Sequence, residues 1–212
     1  MREKNATSLA ALAAALKHGG LVIYPTETAY ALGADPRSRA AMKKVYAVKK
    51  RDAQKPVALL AASRAQVEKF FVLSSEEKKL ASVFWPGPLT MILPLKDATL
   101  AKQFGAKTIG VRVTTHPVAR RLAQLVGAPL VATSANSSGE ATPYAAEDAV
   151  QSLGVQGNGV LVCDAGRLPK RNVSTVLRVE KNRGIIYREG AISTARIRKL
   201  VFCPVEIYRS ET

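Results

Sequence analysis

Hydrophobic and polar positions follow two different periods along this chain, and the periods predict which segments are helices and which are strands. In some segments apolar residues recur every three or four positions with polar residues between them, as in surface helices. Short continuous apolar runs elsewhere are typical of buried strands. The predicted helices cover residues 8–17, 39–48, 63–70, 75–84, 117–126, 144–153 and 193–200. The predicted strands cover residues 21–24, 57–61, 90–93, 108–113, 130–132, 160–163, 174–179 and 185–188.

Capping and breaking residues support several of these boundaries. Ser63 and Ser193 stand where an N-cap is expected, because a serine hydroxyl can accept a hydrogen bond from the first turn. Pro117 fits the first turn of a helix, and WPGP at 85–88 ends the helix before it. Helices and strands alternate without a repeat or a linker. We therefore expect one α/β domain over residues 1–212, with a twisted, mixed open sheet and flanking helices.

The N-terminal segment has to be compared with a secretory signal peptide, because an apolar stretch follows a charged start. Glu3 lies where a signal peptide is basic, and Gly19 and Gly20 end the segment as they end many helices. We therefore interpret the segment as a structural helix. No apolar run approaches the ~18 residues that a membrane span requires. Both observations favour a cytoplasmic location without membrane contact.

Positive charge is the most unusual feature of the composition. The chain has 32 lysines and arginines against 16 acidic residues, a formal net charge of +16. Residues 37–55 contain eight basic side chains and one acid, and residues 167–199 contain ten basic side chains and two acids. Such an excess attracts nucleotides, RNA or acidic membrane surfaces. A basic proteome would give the same composition, so the charge supports an anionic ligand without specifying nucleic acid.

Several common catalytic motifs are absent. GAKTIGVR at 105–112 has the glycine spacing of a phosphate-binding loop, but Val111 and Arg112 replace its lysine and hydroxyl residue. GVQGNG at 154–159 lacks the strand that precedes a dinucleotide-binding loop. The two histidines and two cysteines show no spacing typical of zinc, a catalytic triad or a disulfide framework. We expect no metal site built by the protein itself.

Two polar loops distant in the sequence carry the candidate chemistry. YPTETAYALGAD at 24–35 precedes KKRDAQKP at 49–56, and TSANSSGEATP occupies 133–143. Lys49 and Arg51 would point to the same side of an extended backbone and suit phosphate oxygens. Ser134 and Asn136 have the same spacing. Each pair also has an ordinary interpretation. Lys49 and Arg51 could be the solvated end of a helix, and Ser134 and Asn136 could belong to a common turn. Only their combination predicts an anion site, formed where loops leave the strand ends.

These segments resemble the YrdC family, the threonylcarbamoyl-AMP synthases of tRNA modification. The resemblance extends from about residue 21 to residue 192, with its motifs in the same order. Besides the two loops, the motifs are KPV at 55–57, FWPGPLT at 84–90, IGVRV at 109–113, NVSTV at 172–176 and REGAI at 188–192. The family's pairing of Lys-x-Arg with Ser-x-Asn is intact as Lys49, Arg51, Ser134 and Asn136. The resemblance implies a YrdC-like fold with a basic concave cavity.

The resemblance also implies a reaction, in which L-threonine, bicarbonate and ATP form threonylcarbamoyl-AMP and pyrophosphate for N6-threonylcarbamoyladenosine (t6A) in tRNA. Lys49 and Arg51 would neutralise the phosphates, and Ser134 and Asn136 would orient the nucleotide or the carbamate. Further substrate-binding residues would be Thr28, Arg112, Ser174, Thr175 and Arg188. Mg²⁺ would arrive with ATP and keep several waters, and a downstream threonylcarbamoyl transferase would accept the product. Alanine at position 49 or 51 is expected to abolish pyrophosphate release and to leave the fold intact.

The chain departs from the family pattern at a few positions. Lys50 and Asp52 stand where the family more often has glycine and proline, and Ala31 stands where it has the first glycine of Gly-Leu-Gly. We expect the first two changes to alter the shape of the loop and Asp52 to pair with an extra lysine. Longer family members add a second C-terminal domain, which we do not expect within residues 1–212 of this chain.

Three other functions stay open. An RNA-binding module could follow a phosphate backbone, including that of tRNA, with the same basic concavity. Aromatic residues make up only 6% and are not interleaved with the basic clusters, which disfavours base stacking. YciO-like relatives, of less secure activity, share a Tyr-Ala-Leu-Gly segment but tend to lack the Ser-Ala-Asn loop and FWPGPLT. Multi-domain relatives transfer a carbamoyl group from another donor, with accessory parts that are not seen here.

Overall fold

The computed structural model describes residues 7–52, 55–157, 159–180, 183–201 and 204–208. Its helices are α1 (Leu9–Lys17), α2 (Arg39–Val48), α3 (Arg64–Phe70), α4 (Ser75–Phe84), α5 (Ala98–Phe104), α6 (Pro117–Val126), α7 (Ala146–Leu153) and α8 (Thr194–Arg198). Its strands are β1 (Val22–Pro25), β2 (Tyr30–Gly33), β3 (Leu59–Ala61), β4 (Leu89–Pro94), β5 (Thr108–Val113), β6 (Leu130–Val131), β7 (Thr133–Ser134), β8 (Leu161–Val162), β9 (Thr175–Glu180), β10 (Arg183–Arg188) and β11 (Val205–Ile207). The predicted α/β class is confirmed.

In the described part of the chain the strands form two mixed sheets, where the sequence predicted one. The smaller sheet has the order β7–β2–β1–β8, with β1 antiparallel to β2 and parallel to β8. The larger sheet has the order β11–β10–β9–β4–β5–β3–β6. β6 and β7 are separated only by Ala132, so the chain passes from one sheet to the other at that residue. This crossing brings the second polar loop close to both sheets.

Apolar faces of helices and strands build the core. Leu12 and Leu16 of α1 pack with Leu122 of α6 against the inner side chains of β1, and these residues form one buried cluster. A larger cluster joins both sheets to α2, α4 and α7. Ser63 caps α3 and Ser193 caps α8 as expected, and Ser8 caps α1 in the same way. Between residues 7 and 208, no described helix is long and apolar enough to cross a membrane.

Two glycines of the predicted motifs, Gly33 and Gly190, lie where neighbouring atoms leave no space for a side chain. A Cβ on Gly33 would lie 2.3 Å from the ring of Tyr24, whose hydroxyl donates a hydrogen bond to the Val131 carbonyl. A Cβ on Gly190 would lie 2.2 Å from the Val173 carbonyl oxygen. A side chain at position 33 would clash with the Tyr24 ring, and one at position 190 would clash with the backbone of Val173 and Ser174. The glycines of YALG and REGAI therefore permit close packing within the β1–β2 hairpin and between β9 and the segment after β10.

Candidate functional site

A cavity of about 410 Å³ lies where the two sheets meet, and both polar loops contribute to its wall. The volume is in the range of small-molecule sites. Of the residues predicted from sequence, six line the cavity: Thr28, Arg51, Arg112, Ser134, Ser174 and Arg188. Lys49, Asn136 and Thr175 are not part of this lining. The predicted convergence of the two loops is therefore present, with three arginines around one cavity.

Arg51 reaches the cavity because the chain turns sharply at the end of α2. The Lys50 N–H donates to the Ala47 carbonyl, and the Arg51 N–H donates to the Tyr46 carbonyl. This pair of bonds is the Schellman arrangement, in which the residue after the C-cap adopts a left-handed conformation. The Arg51 guanidinium then donates from Nε to the Lys55 carbonyl at 3.1 Å and from Nη2 to the Pro56 carbonyl at 2.9 Å. The loop thus fixes the cation at the cavity wall.

The ammonium group of Lys49 lies behind the wall and does not face the cavity. The residue is only 2% exposed, and its Nζ donates to the Ser134 carbonyl at 2.5 Å and to the Asn136 carbonyl at 2.6 Å. Because Lys49 is helical and Lys50 left-handed, the segment is not extended. The expectation that Lys49 and Arg51 point to the same side is therefore wrong. Lys49 fastens the second loop to the end of α2.

The Ser-Ala-Asn loop follows β7 and is held from several directions. Ser134 pairs with Ala31 of β2, lines the cavity and keeps its side chain exposed. Asn136 is buried, and its Nδ2 donates to the Glu140 carbonyl at 2.6 Å. Its Oδ1 is buried without a hydrogen-bond partner among the described residues. Asn136 therefore shapes the loop in this structure, and its predicted contact with substrate stays a prediction.

Arg112 projects from β5 into the wall of the cavity and is held there by an acidic partner. Its Nε donates to Glu27 Oε1 at 2.8 Å, and its Nη2 lies 3.5 Å from the hydroxyl of Thr28. Glu27 stands in the turn between β1 and β2, and its second oxygen accepts from the Thr114 hydroxyl. The β1–β2 turn and β5 are therefore joined by a buried ion pair next to the cavity.

Hydroxyl groups and Arg188 form the opposite part of the wall. Ser174 Oγ lies 2.9 Å from Thr90 Oγ1 and accepts from Arg188 Nη2 at 3.0 Å. Burial lowers the pKa of Arg188, and the positive charge of Arg112 lowers it further. Thr175 is fully buried instead, because its hydroxyl binds the backbone of Gly190 and Ile192. An anion in the cavity would relieve the repulsion between the two arginines.

Comparison with known proteins identifies the family of this chain. The family model for Sua5, YciO and YrdC, described as "Telomere recombination", matches residues 14–190, which is most of the chain.

The chain belongs to the Sua5/YciO/YrdC family. The threonylcarbamoyl-AMP synthase of Bacillus subtilis (strain 168) is 34% identical over 200 residues, which are 93% of this chain and 57% of that protein. The enzyme of the same name from Vibrio cholerae (El Tor Inaba N16961) is 34% identical over 168 residues, which are 77% of this chain and 88% of that protein. The chain thus spans little more than half the length of the first relative and most of the second.

A solved structure of a family member has the same fold. The crystal structure of P. abyssi Sua5 complexed with L-threonine matches with a TM-score of 0.85 and 30% identity. The match covers 93% of this chain and 58% of that chain. Sequence and structure comparisons therefore agree on the family, and both extend over nearly the whole chain.

Lys50 has a backbone conformation that favours glycine. Lys50 has a φ of +49° and is the one non-glycine residue with positive φ among the described residues. Lys50→Gly should leave the free energy of unfolding unchanged or raise it by up to about 1 kcal/mol, because glycine removes the strain but loses more chain entropy on folding. Lys50→Val should be about 1–2 kcal/mol less stable than the glycine variant. Urea unfolding of the three proteins measures both differences, and equal stability of the two variants would contradict this account of the turn.

Sequence reasoning missed three residues that shape the site. Glu27 stands between Thr26 and Thr28 in YPTETAYALGAD, and it binds Arg112 beside the cavity. Thr90 ends the motif FWPGPLT and lines the cavity beside Ser174. Tyr30 lines it too, while its hydroxyl accepts from the Ala165 N–H and donates to the Gly166 carbonyl. All three belong to the motifs YPTETAYALGAD and FWPGPLT, and that membership is the sequence signal that could have identified them.

No candidate metal site is found among the described residues. They contain no group of three or more histidine, cysteine, aspartate or glutamate side chains placed to hold a metal ion. Glu27, the acid nearest the arginines, is already bound to Arg112 and Thr114. Cys163 is half-buried and free, and burial raises the pKa of its thiol. Cys203 lies outside the described residues.

Proposed function

We propose that this chain is an L-threonylcarbamoyladenylate synthase, a nucleotidyltransferase that condenses L-threonine, bicarbonate and ATP for t6A formation in tRNA. The observation that carries the proposal is the cavity in which Arg51 and Ser134 face the same space as Arg112 and Arg188. Relatives with the name threonylcarbamoyl-AMP synthase support it, as does the threonine complex of P. abyssi Sua5. Lys49, Arg51, Ser134 and Asn136 are the proposed catalytic group, with Lys49 acting through the loop that it holds.

Charge neutralisation is the main task that the cavity can perform. ATP and a carbamate of threonine are both anions, so they repel each other before they react. Arginine side chains that are already fixed in a partly desolvated wall can offset this repulsion without reorganising. Arg51 is held by two backbone carbonyls, and Arg188 is held by Ser174. The proposed transition state therefore meets cations whose positions the fold has set in advance.

The proposed reaction needs no strong base from the protein. Bicarbonate supplies CO₂ and hydroxide, and the neutral amine nitrogen of threonine bonds to the carbon of CO₂. The proton that the nitrogen loses converts the hydroxide to water, which leaves a carbamate anion. A carbamate oxygen then attacks the α-phosphorus of ATP, the bond from that phosphorus to the bridging oxygen breaks, and pyrophosphate leaves with the electron pair. Mg²⁺ enters as part of the substrate, bound to the phosphates with several waters. The residues of the cavity hold the two reactants in line for this displacement.

An assay of pyrophosphate release tests the proposal. The purified chain is incubated with MgATP, L-threonine and bicarbonate, and each of the last two is omitted in turn. The proposal expects release only when both are present. Release without threonine would contradict it, and so would a complete lack of release. The RNA-binding alternative expects instead a salt-sensitive affinity for RNA that does not depend on threonine. The exposed side chains of Arg167, Lys170 and Arg171 are where such an RNA would be sought.

The pathway position follows from the proposed product. Threonylcarbamoyl-AMP is a reactive mixed anhydride, so a transferase that delivers its acyl group to tRNA has to follow. A cytoplasmic location and a single domain over residues 1–212 are part of the same proposal. A YciO-like activity is the second possibility within this family. The intact Ser-Ala-Asn loop and the FWPGPLT motif, whose last residue Thr90 lines the cavity, favour the synthase.

A further inference from the structure

A buried carboxylate stands behind the arginine of β5 and has no role in the reaction described above. Glu27 and Arg112 are 6% and 8% exposed in their side chains, and Glu27 Oε1 accepts from Arg112 Nε at 2.8 Å. The other oxygen, Oε2, accepts from the hydroxyl of Thr114, a fully buried residue just after β5. Both oxygens are thus bound by side chains of one segment, and the geometry of this contact is fixed from two sides.

Glu27 is ionised in this setting. Burial alone would raise the pKa of its carboxyl group, but the Arg112 charge and the hydrogen bonds from Thr114 and Arg112 outweigh burial, so the pKa lies below its ordinary value. A buried ion pair of this kind contributes little net stability compared with apolar residues of the same volume. A specific arrangement that contributes little stability calls for another use of the carboxylate.

Arg112 has one edge on Glu27 and another directed to the cavity. The bond to Glu27 uses Nε, while Nη2 lies near Thr28, a residue of the cavity wall. Arg188, across the same wall, is close enough for the Arg112 charge to lower its pKa. Without a fixed partner, the Arg112 guanidinium would turn away from Arg188. Glu27 holds it in place against that repulsion.

We propose that Glu27 is a positioning residue, which orients the guanidinium of Arg112 toward an anionic substrate in the cavity. The inference rests on the proposed synthase function, because it concerns the same cavity. Glu27 itself does not touch the substrate in this account. Glu27 acts on the substrate only through the Arg112 guanidinium. Substitution of Glu27 should therefore have no further effect on the rate once that guanidinium has been removed.

The first test is Glu27→Gln, which keeps the length of the side chain and an oxygen acceptor for Arg112 but removes the charge. We expect kcat/KM for pyrophosphate release to fall about tenfold through poorer orientation of a charged group. Thr114→Val removes the hydrogen bond to Oε2 and keeps the ion pair, so we expect a smaller loss. Glu68→Gln is the matched control, because Glu68 forms an exposed ion pair with Arg64 on α3. It should leave kcat/KM unchanged.

The same substitution in an Arg112→Lys background separates positioning from a structural role. If Glu27 acts only through the guanidinium, Glu27→Gln should cause no further loss in that background. A merely structural role would give the same tenfold loss in both backgrounds, and that result would overturn the proposal. Urea unfolding of each variant shows which proteins are folded under assay conditions. If Glu27→Gln does not fold, Thr114→Val takes its place in the same comparison.

A measurement without catalysis keeps this inference distinct from the proposed function. The Nε–H resonance of Arg112, assigned by its loss in Arg112→Lys, reports directly on the contact with Glu27. We expect it to shift in Glu27→Gln and to stay in place in Glu68→Gln. If the wild-type chain releases no pyrophosphate, the proposed function fails. The resonance then tests by itself whether Glu27 positions Arg112. An unshifted resonance in Glu27→Gln would overturn the positioning role.

Discussion

Replacing Arg51 by alanine is expected to slow threonine- and bicarbonate-dependent pyrophosphate release about a hundredfold. The physical reason is the loss of one charge-assisted contact to a phosphate in the transition state, which amounts to ~3 kcal/mol. Stability should change little, because the Arg51 side chain is only half-buried and binds two carbonyls of its own loop. Steady-state kinetics together with urea unfolding separate the two effects.

Arg64→Ala is the matched control for this experiment. Arg64 is an exposed arginine of α3 that pairs with Glu68 one turn away, and neither residue lines the cavity. Such surface pairs contribute about 0.5 kcal/mol or less, so this variant should keep both its activity and its stability. Arg51→Lys should recover only part of the lost rate, because an ammonium group cannot reproduce the planar, forked contact. Wild-type turnover in Arg51→Ala would remove Arg51 from the proposed catalytic group.

Replacing Lys49 by methionine is expected to abolish activity and to destabilise the fold together. The buried ammonium donates to the carbonyls of Ser134 and Asn136, and methionine would remove both hydrogen bonds. The Ser134 carbonyl would keep only the Asn136 N–H as a donor. The loss of two hydrogen bonds from a buried charged donor corresponds to ~2–4 kcal/mol in the free energy of unfolding. The expectation from sequence that the fold stays intact on loss of Lys49 is therefore revised. Full stability in Lys49→Met would contradict the role of Lys49 as the fastening of the second loop.

The pH dependence of stability gives Lys49 a second signature. Burial, with a smaller contribution from the Arg51 charge, lowers the pKa of Lys49 to about 8, while the unfolded chain has the ordinary value near 10.4. Between these values the unfolded state binds more protons, so stability rises with pH. The stability gained above the unfolded pKa is lost as the pH falls through about 8. Wild type should therefore gain stability relative to Lys49→Met between pH 8 and 10.4.

The control for the titration is Lys43→Met, on an exposed position of α2. It removes a lysine charge from the same helix without removing a donor to the Ser134 or Asn136 carbonyl. The opposite result is a difference in the free energy of unfolding between wild type and Lys49→Met that shrinks as the pH rises. It would contradict the lowered pKa, because the two carbonyls would then stabilise the ammonium form more than burial destabilises it. The measurement is urea unfolding of the three proteins at a series of pH values, compared as differences so that other titrations cancel.

Local physical rules predicted the regular elements with clear boundaries. α2, α6 and β5 have the predicted limits, because a serine N-cap, a first-turn proline and an alternation of apolar residues mark them in the sequence. β2, β7 and β11 were missed. β2 is buried on both faces and so shows no alternation, and β7 has only two residues. Such strands exist because another strand pairs with them, and pairing is a property of the whole fold.

The candidate site was predictable as a set of residue types but not as a set of contacts. The motifs pointed to the residues of both loops, and six of the nine chosen line the cavity. Sequence could not show that the Lys49 ammonium would bind two carbonyls of the second loop instead of a phosphate. That outcome depends on the left-handed turn at Lys50, which places Lys49 inside and Arg51 at the wall. Nothing in the sequence pattern predicted that Glu27 pairs with Arg112 either.

The most direct test of the central claim is the identity of the compound made in the cavity. Phosphorus NMR of a reaction with MgATP, L-threonine and ¹³C-bicarbonate observes the α-phosphorus of any adenylate that forms. We expect a new adenylate signal that is split by coupling to the labelled carbon, that needs threonine and that is absent with Arg51→Ala. An unsplit AMP signal, or a split signal of equal size without threonine, would contradict the claim that ATP and a carboxylated threonine react at this site.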